Sequence, residues 1–205
     1  MTELLTAFTT LFVIIDPIGL APIFLAMTAG MSPSRRRAIA IRACIIGALI
    51  LFAFSFLGEA LLGFVGISMP AFRIAGGILL FLTALEMLFQ RRQARRQDNA
   101  DEAQQENQDD PSVFPIAIPL IAGPGAIASI ILLTGNGDGL WHLSVLGVMV
   151  FVILIVFGLF MLAGPLERIL GQTGTNVVTR LLGMLLAALA VQFILTGLKD
   201  FGFAG

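Results

Sequence analysis

The stretch LFVIIDPIGLAPIFLA, residues 11–26, decides the fold of this chain. It is apolar enough to lie in a lipid bilayer, yet Asp16, Pro17, Gly19 and Pro22 stand near its middle. A proline inside a helix removes a backbone donor and clashes with the preceding turn, and an ionisable side chain at membrane depth is costly. Irregular backbone is tolerated there only where it is buried in protein or lines a cavity. The stretch therefore predicts an interrupted membrane helix with a site at the interruption.

The composition of the whole chain indicates an integral membrane protein. Of the 205 residues, 58% are hydrophobic and 12% are charged, and the mean hydropathy is +0.97. Soluble domains carry about twice that share of charged residues. The formal net charge of −1, without a basic stripe, argues against a nucleic-acid partner. The lone Cys44 excludes an internal disulfide, and the N-terminus lacks the basic region of a cleaved signal peptide.

Six apolar segments have the length of about 20 residues that is needed to cross the hydrocarbon core. They cover residues 4–29, 38–64, 69–90, 113–134, 141–164 and 176–198. This pattern predicts an all-α polytopic membrane protein with six transmembrane segments in one integral membrane domain.

The domain divides into two halves of three spans, residues 1–90 and residues 113–205. Between them, residues 91–112 are strongly polar, with four arginines followed by six acidic residues. The favoured interpretation is a solvated cytoplasmic linker, and the alternative is a docking or regulatory segment.

Basic residues are unevenly distributed between the two sides of the predicted spans. Ten lie on one side: Arg35, Arg36, Arg37, Arg42, Arg91, Arg92, Arg95, Arg96, Arg168 and Arg180. Only Arg73 and Lys199 lie on the other. The positive-inside rule then predicts an inner-membrane protein with the linker in the cytoplasm and both termini on the periplasmic or extracellular side. Trp141 and His142 would lie at that outer surface, as an aromatic anchor does.

A second pattern appears when the chain is compared with itself at a shift of 107 residues. Pro17 then matches Pro124, Arg73 matches Arg180, and Gly76 matches Gly183. Because each half holds an odd number of spans, the second half must be inserted upside down relative to the first. This is the inverted-repeat architecture of many secondary transporters, in which paired interrupted helices mark the binding site.

The two interruptions supply the candidate substrate-binding residues. The first comprises Asp16, Pro17, Ile18, Gly19 and Leu20, and the second comprises Gly123, Pro124, Gly125 and Ala126. In each, proline fits the first position of a new half-helix, with Asp or Gly as N-cap.

The chemistry of these breaks favours a zwitterion. Half-helix N-termini suit a carboxylate, whereas Asp16 suits an ammonium group, a Na⁺ ion or a proton. Glu86 and Gln192, on the third and sixth spans, are secondary candidates. Under the alternative interpretation, Asp16 only caps a helix, and Pro17 and Pro124 only kink helices that pack.

Known catalytic patterns are absent from the sequence. It has no His-Glu-x-x-His motif, no Gly-x-Ser-x-Gly elbow and no phosphate-binding glycine-rich loop with lysine, so we expect no enzyme, no metal centre and no cofactor other than H⁺ or Na⁺ as coupling ion. A transporter, a passive channel and a structural or assembly protein are the classes that remain. The paired breaks within one chain favour the transporter, because a channel usually needs polar rings from several subunits.

Two segments carry a resemblance to a known family. VIIDPIGLAPIFLAMT (13–28) and PIAIPLIAGPGAIASIILL (115–133) closely resemble the signature segments of the MarC family of bacterial inner-membrane proteins, whose archaeal relatives include small neutral amino-acid transporters of the SnatA type. The resemblance covers the whole chain. It implies a neutral amino-acid transporter fold, coupled to H⁺ or Na⁺. Where family segments often read DPIGN, this chain has Leu20 after Gly19.

Together these observations predict a secondary transporter of a small neutral amino acid or similar zwitterionic solute. Its partners would be the solute, the lipid bilayer and, as an option, further copies of the chain. The alternatives are an exporter of other small metabolites or drugs, with which the family name is historically associated, and a non-transporting membrane assembly protein.

Overall fold

The computed structural model describes residues 2–92, 94–98, 110–135 and 138–203. The helices are α1 (Thr2–Ile15), α2 (Pro17–Met27), α3 (Pro33–Val65), α4 (Met69–Leu88), α5 (residues 91–92 and 94–98), α6 (Ser112–Ile121), α7 (Pro124–Thr134), α8 (Gly139–Met161) and α9 (Ala163–Phe201). The described residues contain no β-strand, and their all-helical fold agrees with the prediction.

The lengths and surfaces of these helices are those of a multi-pass membrane protein. Within the described part of the chain, five helical stretches are long and apolar enough to cross a membrane, and the pair α6 and α7, bent by 55°, would make a sixth. Large apolar side chains point outward, among them Leu57, Phe64 and Leu154 at 63%, 90% and 59% exposure. Exposed apolar surface of this extent marks a lipid-facing side.

The short helices lie in the centre of the fold and the long ones surround them. The apolar window of residues 3–27 is 72% buried, whereas that of α9 is 22% buried. Helix α1 packs on α7, α8 and α9, and helix α3 packs on α6, α7 and α8. The two proline-containing segments that the sequence singles out are therefore enclosed by protein.

Helices α4 and α9 pack closely because glycines face the contact. A Cβ atom at Gly77 would lie 2.7 Å from Cγ1 of Ile194, and one at Gly183 would lie 2.9 Å from Cβ of Met87. Small residues allow this close approach in membrane helices. At one end of the pair, Arg73 forms an ion pair with Asp200.

Helix α9 begins earlier than the last predicted span, which starts at residue 176. It extends from Ala163 and changes direction at Gly171, where φ is +57°. Glycine adopts this backbone conformation without strain. Residues on both sides of this change of direction, Glu167 before it and Gln172, Thr175 and Asn176 after it, line a polar cavity described below.

Candidate functional site

Asp16 separates two helices in the core. Helix α1 ends at Ile15 and helix α2 begins at Pro17, and Asp16 between them has φ 57° and ψ 64°. This left-handed conformation is uncommon for residues other than glycine, although aspartate tolerates it better than most. Oδ1 of Asp16 accepts a hydrogen bond from the backbone N–H of Gly19 at 3.1 Å, so the carboxylate caps α2 as the sequence predicts. The side chain is fully buried.

The cation beside Asp16 is a residue of the chain itself. Nη1 of Arg96 lies 3.0 Å from Oδ2 of Asp16, and Nη2 of Arg96 donates to the carbonyl of Ile15 at 3.0 Å. The side chain of Arg96 is 5% exposed and that of Asp16 is 0% exposed. A buried ion pair needs such additional hydrogen bonds, because both charges lose their hydration. Asp16 is thus neutralised by a partner 80 residues further along the chain.

A second arginine of α5 reaches the same helix end. Arg92 donates to the carbonyl of Ile14, and its Nη1 lies 3.1 Å from Sδ of Met87. The last carbonyls of a helix lack partners within the helix and carry partial negative charge. Arg92 and Arg96 together therefore stabilise the C-terminal end of α1 inside the protein.

The buried arginines differ from the prediction of a solvated linker over residues 91–112. Arg92 is 7% exposed and Arg96 is 4% exposed. A polar sequence predicts a solvated segment only where its side chains have no partners inside the protein. Here the partners are two carbonyls at the end of α1 and the carboxylate of Asp16. Residues 99–109 of this predicted linker lie outside the described residues.

The second break lies between α6 and α7. Helix α6 contains two residues with extended backbone angles, Phe114 and Ile118, and is followed by Gly123 with φ −81° and ψ 169°. Helix α7 then begins at Pro124 and has no side-chain cap. Its first backbone N–H groups are therefore available for a ligand, in contrast to α2, where Asp16 caps the helix.

A cavity of about 260 Å³ joins this uncapped N-terminus to the arginines of α5. The polar side chains in its lining are Thr83, Glu86, Arg92, Arg95 and Arg96, and residues 123–126 also line it. Nη1 of Arg95 lies 2.8 Å from Oε1 of Glu86, in a pair whose arginine is 63% exposed. Arg96 is paired with Asp16 and Arg95 with Glu86, so Arg92 and the N-terminus of α7 leave an excess of positive charge at the cavity. The cavity is therefore suited to an anionic group.

The structure brings some of the predicted site residues together. Gly123, Pro124, Gly125, Ala126 and Glu86 line this cavity. Asp16 does not line the cavity itself, but it pairs with Arg96, which does.

The other residues of the first break are placed differently. Pro17, Gly19 and Leu20 are buried, Ile18 is half-buried, and Leu20 N–H donates to the backbone carbonyl of Asp16 at 3.0 Å. Gly19 lines a second cavity of about 490 Å³.

Gln192 does not contribute to the cavity at the second break. Its side chain lies on an exposed face of α9, with Nε2 3.4 Å from Oγ1 of Thr196. The carboxylate of Asp16, the expected position of a Na⁺ ion, already has partners within the chain. One of its oxygens accepts from the N–H of Gly19, and the other pairs with Arg96. Among the residues that the structure describes, no cluster of three His, Cys, Asp or Glu side chains could hold a metal ion.

The three arginines are not among the site residues predicted from the sequence. Arg92, Arg95 and Arg96 are spaced so that they share one face of a helix. This spacing is the signal that could have shown them to act together.

The fold and the site define a multi-pass α-helical integral membrane protein that carries a buried ion pair and a polar cavity in its core. The profile of the MarC family of integral membrane proteins matches residues 1–201. The chain belongs to this family.

Curated relatives agree with this assignment over almost their whole length. A UPF0056 membrane protein of Archaeoglobus fulgidus is 41% identical over 199 residues, which cover 95% of this chain and 91% of the relative. The membrane protein YhcE of Escherichia coli K12 is 37% identical over 193 residues, covering 94% and 90%. The inner membrane protein YhgN of the same strain is 35% identical over 204 residues, covering 97% and 98%. No solved structure matches the chain.

Proposed function

We propose that this protein is a secondary transporter of the inner membrane that moves a small neutral amino acid or a similar zwitterionic solute. The observation that carries the proposal is the cavity at the second break, which Arg92, Arg95 and Arg96 line together with the uncapped N-terminus of α7. Its volume of about 260 Å³ is slightly below the range of about 300 to 1,000 Å³ typical of pockets for drug-sized ligands. A small solute therefore fits this cavity better than a drug does.

The carboxylate of the solute would bind at the start of α7. Pro124 has no N–H, so the first donors are the backbone N–H groups of Gly125 and Ala126, and Gly123 has no side chain to compete for them. A Cβ atom at Gly125 would lie 2.7 Å from Cδ1 of Ile14, so glycine permits the close approach of the two breaks. Arg95 would supply the charge that strengthens this hydrogen bonding.

The ammonium group of the solute would face the acidic residues. Glu86 lines the cavity, and Asp16 lies behind Arg96. H⁺ or Na⁺ is the coupling ion in this proposal, which includes no enzymatic step and no other cofactor.

The inverted repeat is part of the same proposal. Helices α2 and α7 each contain 11 residues, and their first residues, Pro17 and Pro124, are 107 positions apart. Helix α3 packs on α6 and α7, while α8 packs on α1 and α2. This reciprocal packing supports two halves related by a half-turn, which is the arrangement that alternating access uses.

The test is transport by the purified protein in liposomes with an imposed H⁺ or Na⁺ gradient. Labelled alanine, glycine and serine are compared with alaninamide, which keeps the amine and lacks the carboxylate. We expect gradient-dependent uptake of at least one of the three amino acids and none of alaninamide. Uptake of no amino acid above protein-free liposomes would contradict the proposal.

Arg95→Gln is expected to raise the KM for the transported amino acid by about tenfold, because a charge-assisted hydrogen bond to the carboxylate is lost. The unfolding temperature should change little, since the Arg95 side chain is 63% exposed. Arg91→Gln is the matched control, an exposed arginine of the same helix that does not line the cavity. An unchanged KM in Arg95→Gln would remove Arg95 from the site.

The proposed orientation has both termini outside and the linker of residues 91–112 on the cytoplasmic side. The start of α4 and the end of α9 lie on one side, since Arg73 pairs with Asp200, and they carry few other basic residues. Reporter fusions at Gly205 and between residues 99 and 109 should report opposite compartments. A cytoplasmic C-terminus would contradict both the orientation and the upside-down second half.

A further inference from the structure

Helix α5 separates two cavities and presents a different face to each. Arg92, Arg95 and Arg96 line the cavity of about 260 Å³ at the second break. Ala94 and Gln97 line the cavity of about 490 Å³. Residues three and four apart share one face of a helix, so the arginine face and the Ala94–Gln97 face point in different directions.

Both cavities reach the first break, from opposite sides of α5. Ile14 lines the smaller cavity, and Gly19 lines the larger one. The wall of the larger cavity is polar, with Gln172, Thr175 and Asn176 contributed by α9 after its change of direction at Gly171.

Two side chains of α5 form hydrogen bonds at the first break and beside it. Arg92 binds the carbonyl of Ile14 and the sulfur of Met87, and Arg96 binds the carbonyl of Ile15 and the carboxylate of Asp16. Arg96 supplies Asp16 with one positive charge, and another monovalent cation can supply the same charge. Asp16 requires such a replacement, because a buried carboxylate without a partner is strongly destabilising.

We propose that the side chain of Arg96 is a tethered counter-ion of Asp16, which a free monovalent cation replaces when this side chain withdraws. The cation is either the amine of the solute or Na⁺, and the exchange keeps the carboxylate neutralised. This inference rests on the proposed transport function and assigns to Arg96 the control of its cation site.

The experiment measures thermal unfolding of purified full-length variants in detergent, and it requires no transport. Wild-type protein, Arg96→Ala and Asp16→Asn/Arg96→Ala are titrated with methylammonium chloride, methylguanidinium chloride or NaCl, against choline chloride at equal ionic strength. Arg91→Ala is the control for loss of an exposed arginine from the same helix.

We expect Arg96→Ala to unfold about 5 °C or more below the wild-type protein. At least one of the three test cations should restore a large part of this loss with a saturable dependence on concentration. Wild-type protein, Arg91→Ala and the double variant should not respond. A response to Na⁺ would identify an inorganic ion as the exchanging cation, whereas a response to methylammonium alone would identify the amine of the solute.

The proposal is overturned if no test cation stabilises Arg96→Ala more than choline does, or if the double variant responds equally. If Arg96→Ala does not fold, Arg96→Gln is measured by the same criterion, since the amide can still donate to the carbonyl of Ile15. Transport by the wild-type protein is a separate measurement. The counter-ion proposal and the transporter proposal can therefore fail independently.

Discussion

Replacing Asp16 by asparagine is expected to remove most transport and to destabilise the protein. Asparagine keeps an oxygen that accepts from the N–H of Gly19, so helix α2 remains capped. It removes the charge that neutralises Arg96, whose side chain is 5% exposed. Breaking a buried ion pair in this way costs about 3 kcal/mol or more. The cation partner of Asp16 would have no carboxylate to bind, so we expect transport to fall by about two orders of magnitude, equivalent to about 2.7 kcal/mol.

Uptake of labelled alanine, glycine and serine into liposomes measures the first effect, and thermal unfolding measures the second. Asp16→Asn/Arg96→Gln should regain stability without regaining transport, because it restores charge balance but not the cation site. Glu59→Gln is the control, a carboxylate at an exposed position on α3. Wild-type transport by Asp16→Asn with unchanged ion dependence would reduce Asp16 to a cap, and the cation site would then have to be sought at Glu86.

Gly19→Ala is expected to damage the same site through space alone. A Cβ atom at Gly19 would overlap Oδ2 of Asp16 and lie 2.8 Å from its Cγ. Oδ2 is the atom that pairs with Arg96, and both Gly19 and Asp16 are buried. One methyl group would therefore displace the carboxylate from its cap and from its ion pair. We expect a loss of about 2 to 3 kcal/mol of stability and at least about a tenfold loss of transport.

Gly158→Ala is the matched control for this substitution. Gly158 lies inside helix α8, and an added Cβ atom would meet nothing within 4 Å. Alanine favours the helix over glycine by up to about 1 kcal/mol, so this variant should be as stable as the wild-type protein or slightly more stable. If Gly19→Ala had the same unfolding temperature and uptake rate as Gly158→Ala, the close contact between Gly19 and the carboxylate would not be needed for stability or transport.

Both predictions depend on a pairing that connects distant parts of the chain. Asp16 belongs to the first membrane segment, and Arg96 follows the third. From the proline-containing breaks alone, Asp16→Asn would be expected to leave the stability unchanged. The structure changes that expectation, because it places a buried positive charge beside the carboxylate.

The sequence by itself determined the class of the protein and the starts of the two helices that follow the breaks. Composition and segment length decide that the chain is a multi-pass membrane protein, because only helices or closed barrels satisfy the backbone in lipid. The starts of α2 and α7, at Pro17 and Pro124, follow from local chemistry, since proline lacks an N–H and fits the first turn of a helix. The signature segments around these prolines also identified the MarC family.

Only the tertiary structure decided which charged side chains meet. Arg92 and Arg96 stand in a polar run that resembles a solvated linker, and their burial depends on the carbonyls and the carboxylate at the end of α1. Gln192 is the reverse case, a predicted site residue that the tertiary structure places on an exposed face. It lies one position from the repeat image of Glu86, and one residue rotates a side chain by about 100° around a helix axis. Glu86 therefore lines the cavity while Gln192 lies on an exposed face, because local pattern fixes where a helix begins whereas packing fixes which side of it faces the site.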